Sequence, residues 1–322
     1  MNVFVTGGTG FIGTHLIERL LELRAEVFAL VRDPGRASFA KKASVHLLQG
    51  DLFDIPALPS NLDCVYHLAG LTKSLKAADY YTVNQRGTAS LFNTLARQRQ
   101  FPKVVVLSSL SAGGPSDGRS GRRESDPPTP VTAYGKSKLH GEEEALARRD
   151  RFPITILRVG AVYGPLDTDF LTFFKFLKSG LMPVIGIEPR LMSLCYVKDV
   201  VRALELAGRA RLDSGMILNI GDPVPRTMED IGRAAGRALG KNPKKIVVSK
   251  SMALGVSFVR ELLSALAGRP NIVNRDKVLE YLQPGWVADV ENARLKLSFA
   301  TNVSRDEGVR ETIRWYQDAG WL

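Results

Sequence analysis

Cysteine is scarce in this chain of 322 residues. Only Cys64 and Cys195 occur, and they form no CxxC pair, so neither a disulfide framework nor a zinc site is indicated. Disulfides persist mainly in oxidising compartments, and this usage therefore fits a reduced, cytoplasmic setting. We expect a cytoplasmic protein without a metal site.

The sequence also has little that predicts export or a membrane span. Its N-terminus passes directly into the strand-like residues 2–5, with no basic stretch and apolar core before them. The most apolar late segment, residues 252–268, is interrupted by Arg260 and Glu261 and falls short of the ~20 apolar residues that a span needs. We expect a helix there that packs on a second lobe, and no integral membrane segment.

Positive charge is in excess. The chain has 44 Lys and Arg against 33 Asp and Glu, a net charge of +11 that is spread along its length and favours anionic ligands. The densest basic cluster, Arg119, Arg122 and Arg123, contains no aromatic residue. Because nucleic-acid surfaces usually interleave basic and aromatic side chains, we expect no nucleic-acid partner.

Short apolar runs alternate with helical patterns through the first half, which is typical of βαβ units and a parallel sheet. The length suggests about two lobes. We predict an α/β fold, a doubly wound parallel sheet (Rossmann fold) with a smaller, mainly helical substrate-binding lobe. The predicted strands are residues 2–6, 26–31, 45–48, 63–68, 103–108 and 154–158, with one more near 216–220. Long helices are predicted at 77–99 and 134–149, and a surface loop at 111–130.

The stretch TGGTGFIG, residues 6–13, follows the first strand and opens the first helix. Its glycines allow a sharp turn and a close approach to a pyrophosphate at the helix N-terminus. Glycine-rich turns are common, but this one lies between a strand and an amphipathic helix. The pattern therefore predicts dinucleotide binding.

The end of the second strand should show which dinucleotide is bound, since an acid there favours NAD and an arginine favours a 2′-phosphate. Spacing from the glycines can select Asp33, and therefore NAD. Asp33 precedes Pro34, however, whereas Arg32 is the first polar side chain after the strand. A guanidinium suits a phosphate, so we expect NADP(H) to be preferred, with NAD(H) as the alternative.

Tyr134 and Lys138 lie four residues apart on a predicted helix and therefore share a face. A nearby ammonium favours the phenolate form of a tyrosine, which would suit Tyr134 to proton transfer. The alternative is that Lys138 is only part of a solvated helix face. Ser109, at the carboxyl end of a strand, could donate a hydrogen bond to a substrate oxygen, or the serines there could simply cap the chain.

Several motifs together resemble the extended short-chain dehydrogenase/reductase family, the NAD-dependent epimerase/dehydratase group. In chain order they are TGGTGFIG, GDL (50–52), HLAG (67–70), VNQRGT (83–88), SSLSA (108–112), YGKSK (134–138), LRVGAVYGP (157–165) and YVKDVVRA (196–203). The resemblance covers essentially the whole chain. The family's NAD-type acid would fall at position 31, where this chain has Val31. In this respect the chain resembles the NADPH-using dihydroflavonol-reductase-like branch of the family. A sterol-dehydrogenase-like branch is the other resemblance.

The resemblance implies roles by position. Tyr134 would be the catalytic acid/base, Lys138 its activator, and Ser109 the catalytic hydroxyl. The implied cofactor residues are Gly7, Thr9, Gly10, Phe11, Ile12, Gly13, Arg32, Asp51, Leu52, Leu68, Ala69 and Gly70, together with Tyr134 and Lys138. Ser111 and Tyr163 are weaker candidates for contact with substrate, and Tyr163 is equally expected to pack in the core. The cofactor domain would comprise residues 1–164 and 193–222, the substrate lobe 165–192 and 223–322, and a homodimer would form through the two long helices.

Departures from the family narrow the function. Its 4,6-dehydratases carry Asp-Glu after the catalytic hydroxyl, where this chain has Leu110 and Ser111, so dehydration is disfavoured. We predict an NAD(P)(H)-dependent oxidoreductase of a small-molecule hydroxyl or carbonyl substrate. The alternatives are a nucleotide-sugar epimerase and a dinucleotide-sensing protein without catalysis. The apolar residues 171–186 favour a hydrophobic or sterol-like substrate, unless they are core.

Overall fold

The computed structural model describes residues 1–118, 120–257 and 275–322. Arg119 of the basic cluster and most of the helix predicted at 252–268 therefore lie outside the described residues. Residues 250–257 are helical. Within the described ranges, no helix is both long enough and apolar enough to cross a bilayer.

Seven parallel strands form the central sheet, which confirms the predicted fold class. Their bounds are Asn2–Thr6 (β1), Glu26–Val31 (β2), Val45–Gln49 (β3), Cys64–His67 (β4), Lys103–Ser109 (β5), Ile154–Val159 (β6) and Met216–Ile220 (β11). The order is β11-β6-β5-β4-β1-β2-β3, with Val3 of β1 opposite both Val27 of β2 and Cys64 of β4. The strand order reverses between β1 and β4, and ligands of such sheets bind at that switch point.

Helices cover both faces of the sheet. The helices of the described residues include Phe11–Glu22 (α1), Ala77–Tyr80 (α2), Gly87–Leu95 (α3), Leu110–Gly113 (α4), Ala133–Leu146 (α5), Leu171–Lys178 (α6), Val197–Arg209 (α7) and Met228–Leu239 (α8), and those at Arg275–Tyr281, Glu291–Leu297 and Arg305–Asp318. Leu16 of α1 and Leu204 of α7 are buried in the core on one face, and Leu91 and Phe92 of α3 in the core on the other. Because each face is covered, the strands read as nearly continuous apolar runs.

The helix predicted at 77–99 is helical from Ala77 to Leu95, but it is not a regular α-helix throughout. A π-helical segment, Tyr81–Arg86, separates α2 from α3, and α3 ends at Leu95. Within it Asn84 donates from Nδ2 to the Leu71 carbonyl oxygen at 3.0 Å and to Ser137 Oγ at 2.8 Å, while its Oδ1 accepts from Leu71 N at 2.7 Å. Asn84 therefore ties the end of β4 to α5, and π segments of this kind are often found at functional sites.

The remaining strands are short and pair in twos. They are Ala161–Tyr163 (β7), Leu181–Ile185 (β8), Leu191–Met192 (β9), Leu194–Tyr196 (β10), Lys244–Val248 (β12) and Gly285–Trp286 (β13). β8 pairs with β12, β9 with β13 and β7 with β10. The predicted loop at 111–130 begins with α4 and forms bridges at Ser116 and Arg122 to residues 285 and 288, so it is anchored to the later part of the chain. The proposed division into two domains stays a prediction.

Candidate active site

The glycine loop holds the end of β1 close to the end of β4. Gly7 has a φ of +75°, and a Cβ there would lie 2.6 Å from Ala69 N. A Cβ at Gly13 would lie 2.2 Å from the Gly7 carbonyl oxygen. Larger residues at either position would push the loop away from the strand or from α1, so glycine is required for this close approach.

The first turn of α1 is available for an anion. Its N-cap is Gly10, which has no side chain to accept a hydrogen bond from the first N–H groups of the helix. Thr9 and Gly10 are exposed. Phe11 and Ile12 are half-buried beside them. Because the first N–H groups of a helix have no partner within it, this turn fits a pyrophosphate.

Two strand ends supply the residues predicted to bind the adenosine half of the cofactor. Arg32 follows β2 and is exposed, whereas Asp33 Oδ1 accepts a hydrogen bond from Gly35 N at 2.9 Å and caps a short turn. After β3, Asp51 Oδ1 accepts from Phe53 N at 2.7 Å, and the Leu52 side chain is buried. Arg32 is therefore solvent-accessible at the position predicted to contact the adenosine ribose.

The end of β4 is built on a buried histidine. His67 Nδ1 lies 2.8 Å from Thr6 Oγ1, and its Nε2 lies 2.9 Å from Thr88 Oγ1. Burial, helped by the charge of Lys138, lowers the pKa of His67 to about 3. His67 is therefore neutral at physiological pH and serves the strand, while the following residues Leu68–Gly70 are at least partly exposed at the cofactor edge.

Ser109 and Tyr134 meet at the carboxyl edge of the sheet. Ser109 ends β5, and Tyr134 lies in the first turn of α5, whose N-cap Thr132 accepts from Gly135 N at 3.1 Å. Helices α4 and α5 approach closely at Gly135, and only glycine permits this contact, since a Cβ there would lie 2.5 Å from the Ser111 carbonyl oxygen. Burial raises the pKa of Tyr134 above its ordinary value of 10.0, while the charge of Lys277 and a hydrogen bond with the Ser109 side chain lower it.

Lys138 lies one turn after Tyr134 and points into the sheet. Its Nζ donates to the Leu107 carbonyl oxygen at 2.7 Å. Burial lowers the pKa of Lys138 to about 8, against a smaller opposing influence of Glu142. Gly70 lies beside it, since a Cβ there would be 3.7 Å from Nζ. The structure thus brings Lys138 next to the predicted cofactor edge.

Sequence reasoning missed the acidic partner of this site. Glu280, on the helix Arg275–Tyr281, is 9% exposed, and its Oε1 accepts hydrogen bonds from Ser111 Oγ at 3.0 Å and Thr132 Oγ1 at 3.2 Å. Ser111 is therefore directed to a carboxylate of the later chain. No motif marks Glu280, because it is separated from Ser111 by 169 positions.

From the sequence, Glu142, Glu143 and Glu144 are expected on a solvated face of the helix, and for Glu142 this expectation is wrong. Its side chain is 1% exposed and forms a salt bridge to Arg158, with Nη2 and Oε2 at 2.6 Å. Ser108 donates a hydrogen bond to the same carboxylate. The cause is the position of α5, which packs across β5 and β6 and turns this glutamate inward, while Glu143 stays exposed.

Tyr163 lies in a different place from the other predicted site residues. It is 4% exposed and packs with Phe170 and Tyr196 in an aromatic core. We therefore assign Tyr163 to packing and leave it out of the candidate substrate site. Asp199 is also structural in its contacts, since its Oδ1 accepts from Asn302 N at 2.8 Å.

Comparison with known proteins gives a consistent set of relatives. The model of the family described as "NAD dependent epimerase/dehydratase family" matches residues 3–221. The ceramide reductase of Caulobacter vibrioides is 27% identical, covering 99% of this chain and 96% of that protein. A dTDP-4-dehydro-6-deoxy-D-allose reductase of Streptomyces sp is 26% identical, covering 98% and 96% respectively.

Solved structures show the same fold. The UDP-glucuronic acid 4-epimerase from Bacillus cereus, in complex with NAD, superposes with a TM-score of 0.78 at 21% identity, covering 99% of both chains. At that identity the likeness concerns the fold.

Proposed function

Because the chain belongs to the NAD-dependent epimerase/dehydratase family, we propose that it is a reductase or dehydrogenase that uses NADP(H) on a carbonyl- or hydroxyl-bearing small molecule. The observation that carries the proposal is that Ser109, at the end of β5, and Tyr134, in the first turn of α5, come together at the carboxyl edge of the sheet, next to a glycine loop that fits a pyrophosphate. When bound, the nicotinamide supplies or accepts the hydride.

Ser109, Tyr134 and Lys138 have separate roles in the proposed reaction. In the reductive direction, Ser109 donates a hydrogen bond to the carbonyl oxygen and stabilises the charge that develops on it. Tyr134 gives its phenolic proton to that oxygen and regains one from solvent, directly or through neighbouring groups. Lys138, held by the Leu107 carbonyl oxygen, keeps a positive charge near the cofactor edge.

Tyr134→Phe should reduce turnover by at least about 10²-fold, because the proton donor is removed. Cofactor binding should be retained, since the ring remains. Tyr81→Phe is a matched control, as Tyr81 packs its ring 5.6 Å from that of His140. The measurement is NADPH consumption with a panel of ketones, beside fluorescence titration of bound NADPH; near-normal turnover of Tyr134→Phe would refute the role.

The stoichiometry of the same assay separates the proposal from its alternatives. A reductase consumes one NADPH for each product, whereas an epimerase converts its substrate without net consumption. A dinucleotide-sensing protein would bind NADPH and turn over nothing across the panel. The two reductases among the relatives support the reductase.

The preference for NADP(H) rests on the end of β2. Arg32 is exposed there, while Asp33 is engaged by Gly35 N. Arg32→Ala should weaken NADPH binding about ten- to 100-fold, the value of one charge-assisted hydrogen bond, and leave NADH binding nearly unchanged. Asp33→Asn serves as the comparison, because an NAD enzyme would lose NADH affinity there instead. Tighter binding of NADH than of NADPH to the wild type would overturn the preference.

We place the substrate between the catalytic edge and the later chain. A pocket in the later chain has a mixed lining of apolar side chains, among them Val184, Ile185, Met192, Met228 and Tyr281, and charged ones, Glu188, Arg190, Glu229 and Lys245. Tyr281 lies one turn after Lys277, which contacts Tyr134, so one helix connects this pocket to the catalytic edge. The apolar part of the lining supports a substrate with a substantial apolar part, consistent with the likeness to a ceramide reductase. By contrast, Phe174 and Leu177 of the predicted apolar wall are core residues.

A further inference from the structure

A second lysine lies beside the catalytic tyrosine. The helix Arg275–Tyr281 brings Lys277 Nζ to 5.5 Å from the centroid of the Tyr134 ring. The side chain of Lys277 is 36% exposed, so the ammonium borders solvent on one side and the phenol on the other. Its sequence position gives no sign of this, because Lys277 follows Tyr134 by more than a hundred residues.

Glu280 holds that ammonium in place. Its Oε2 lies 2.9 Å from Lys277 Nζ, while its Oε1 accepts from Ser111 and Thr132. Ser111 follows the strand that ends in Ser109, and Thr132 caps the helix that begins at Tyr134. The Lys277–Glu280 pair is thus fixed to both elements that carry the catalytic hydroxyls.

We propose that Lys277 is a second activating cation for Tyr134, contributed by the later part of the chain and positioned by Glu280. The inference rests on the proposed role of Tyr134 as the proton-transfer group. A cation a few ångströms from a phenol stabilises its phenolate and makes the phenol a better acid. Lys277 acts through Tyr134, and it supplements Lys138, whose ammonium is bonded to the Leu107 carbonyl oxygen.

Other groups near Tyr134 set the background against which Lys277 acts. Charges that favour the neutral phenol come from Glu280 and from Asp169, and Asp169 is itself paired with Lys73. Polar or charged neighbours from the remaining elements packed around it are Lys138 of α5, Ser109 of β5, Tyr80 of α2 and Asp276, which accepts from Ala133 N. Among these influences, the charge of Lys277 is the largest that lowers the pKa of Tyr134.

The direct test is the ionisation of Tyr134 itself. The chain has eight tyrosines, so the phenolate absorbance of each protein is titrated against its own Tyr134→Phe counterpart, with the fold followed by circular dichroism. Lys277→Met keeps the aliphatic chain and removes the charge, and it should raise the apparent pKa of Tyr134 by about one pH unit. This titration needs no substrate, so its outcome is independent of whether the proposed reaction is correct.

Two further variants give the specificity. Lys277→Arg restores a cation and should keep the wild-type value. Lys198→Met breaks an exposed Lys–Glu pair elsewhere in the molecule and should cause no shift.

Activity supplies the second readout. Reduction requires protonated Tyr134, so the basic limb of the kcat/KM profile should move to higher pH in Lys277→Met and stay at the wild-type position in Lys277→Arg. Absence of a shift in the Tyr134 titration of Lys277→Met would overturn the proposal. So would a rise in KM with the titration unchanged, because Lys277 would then bind substrate instead.

Discussion

Glu142 and Glu143 are neighbours on α5 with opposite surroundings. The Glu142 carboxylate is buried against Arg158, whose side chain is 5% exposed, whereas Glu143 is 61% exposed. Taking two charges out of water is costly, and the pair is stable only because each charge is matched and hydrogen-bonded. Two residues of the same type therefore differ in their contribution to stability because one is buried in an ion pair and the other is exposed to solvent.

Glu142→Gln should destabilise the fold by about 3–5 kcal/mol, because it leaves the Arg158 guanidinium buried without its counterion. Glu143→Gln is the matched control and should stay within about 0.5 kcal/mol of wild type. Urea unfolding followed by circular dichroism measures both. Equal free energies of unfolding for the two variants would contradict this prediction, because the buried Glu142–Arg158 pair would then contribute no more to stability than the exposed Glu143.

At the scale of elements, the cofactor edge depends on how closely α1 and α5 can approach the strand ends. Gly13 lets α1 lie on the β1 turn, and Gly135 lets α5 lie on the backbone of Ser111. The first contact shapes the phosphate loop, and the second brings Tyr134 to Ser109. Both are close backbone approaches that a side chain would prevent.

Gly13→Ala should cost about 1–3 kcal/mol of stability, because its Cβ would collide with the Gly7 backbone and α1 must move. Gly10→Ala, in the same loop, brings its Cβ only to 3.2 Å from the Gly7 oxygen and should cost clearly less. Both are measured by urea denaturation without cofactor. If the two variants were equally stable, the close packing of α1 on β1 would not be what requires Gly13.

At the scale of the whole molecule, the active site is assembled from segments far apart in sequence. The glycine loop, Ser109 and Tyr134 come from the first half of the chain, and Glu280 and Lys277 come from its last fifth. The later segment hydrogen-bonds directly to the groups that surround Tyr134. Proton transfer is therefore expected to respond to changes in this later segment, as the Lys277 variants test.

Much of the fold could be predicted because its signals are local. Apolar runs bounded by polar residues predicted all seven strands of the central sheet to within a residue or two, and the glycine loop was recognisable between β1 and α1. The π-helical segment within the helix predicted at 77–99 was not recognisable. This segment depends on Asn84 reaching Leu71 and Ser137, and those contacts exist only once β4 and α5 are in place.

The sequence by itself determined the doubly wound sheet, the family, and the order of glycine loop, serine and tyrosine, because periodicity and short motifs are properties of neighbouring residues. Only the tertiary structure decided that Glu142 is buried, that Tyr163 is core, and that Lys277 and Glu280 border Tyr134. Those outcomes depend on which distant segments the packing brings together, and charge and burial follow from that packing.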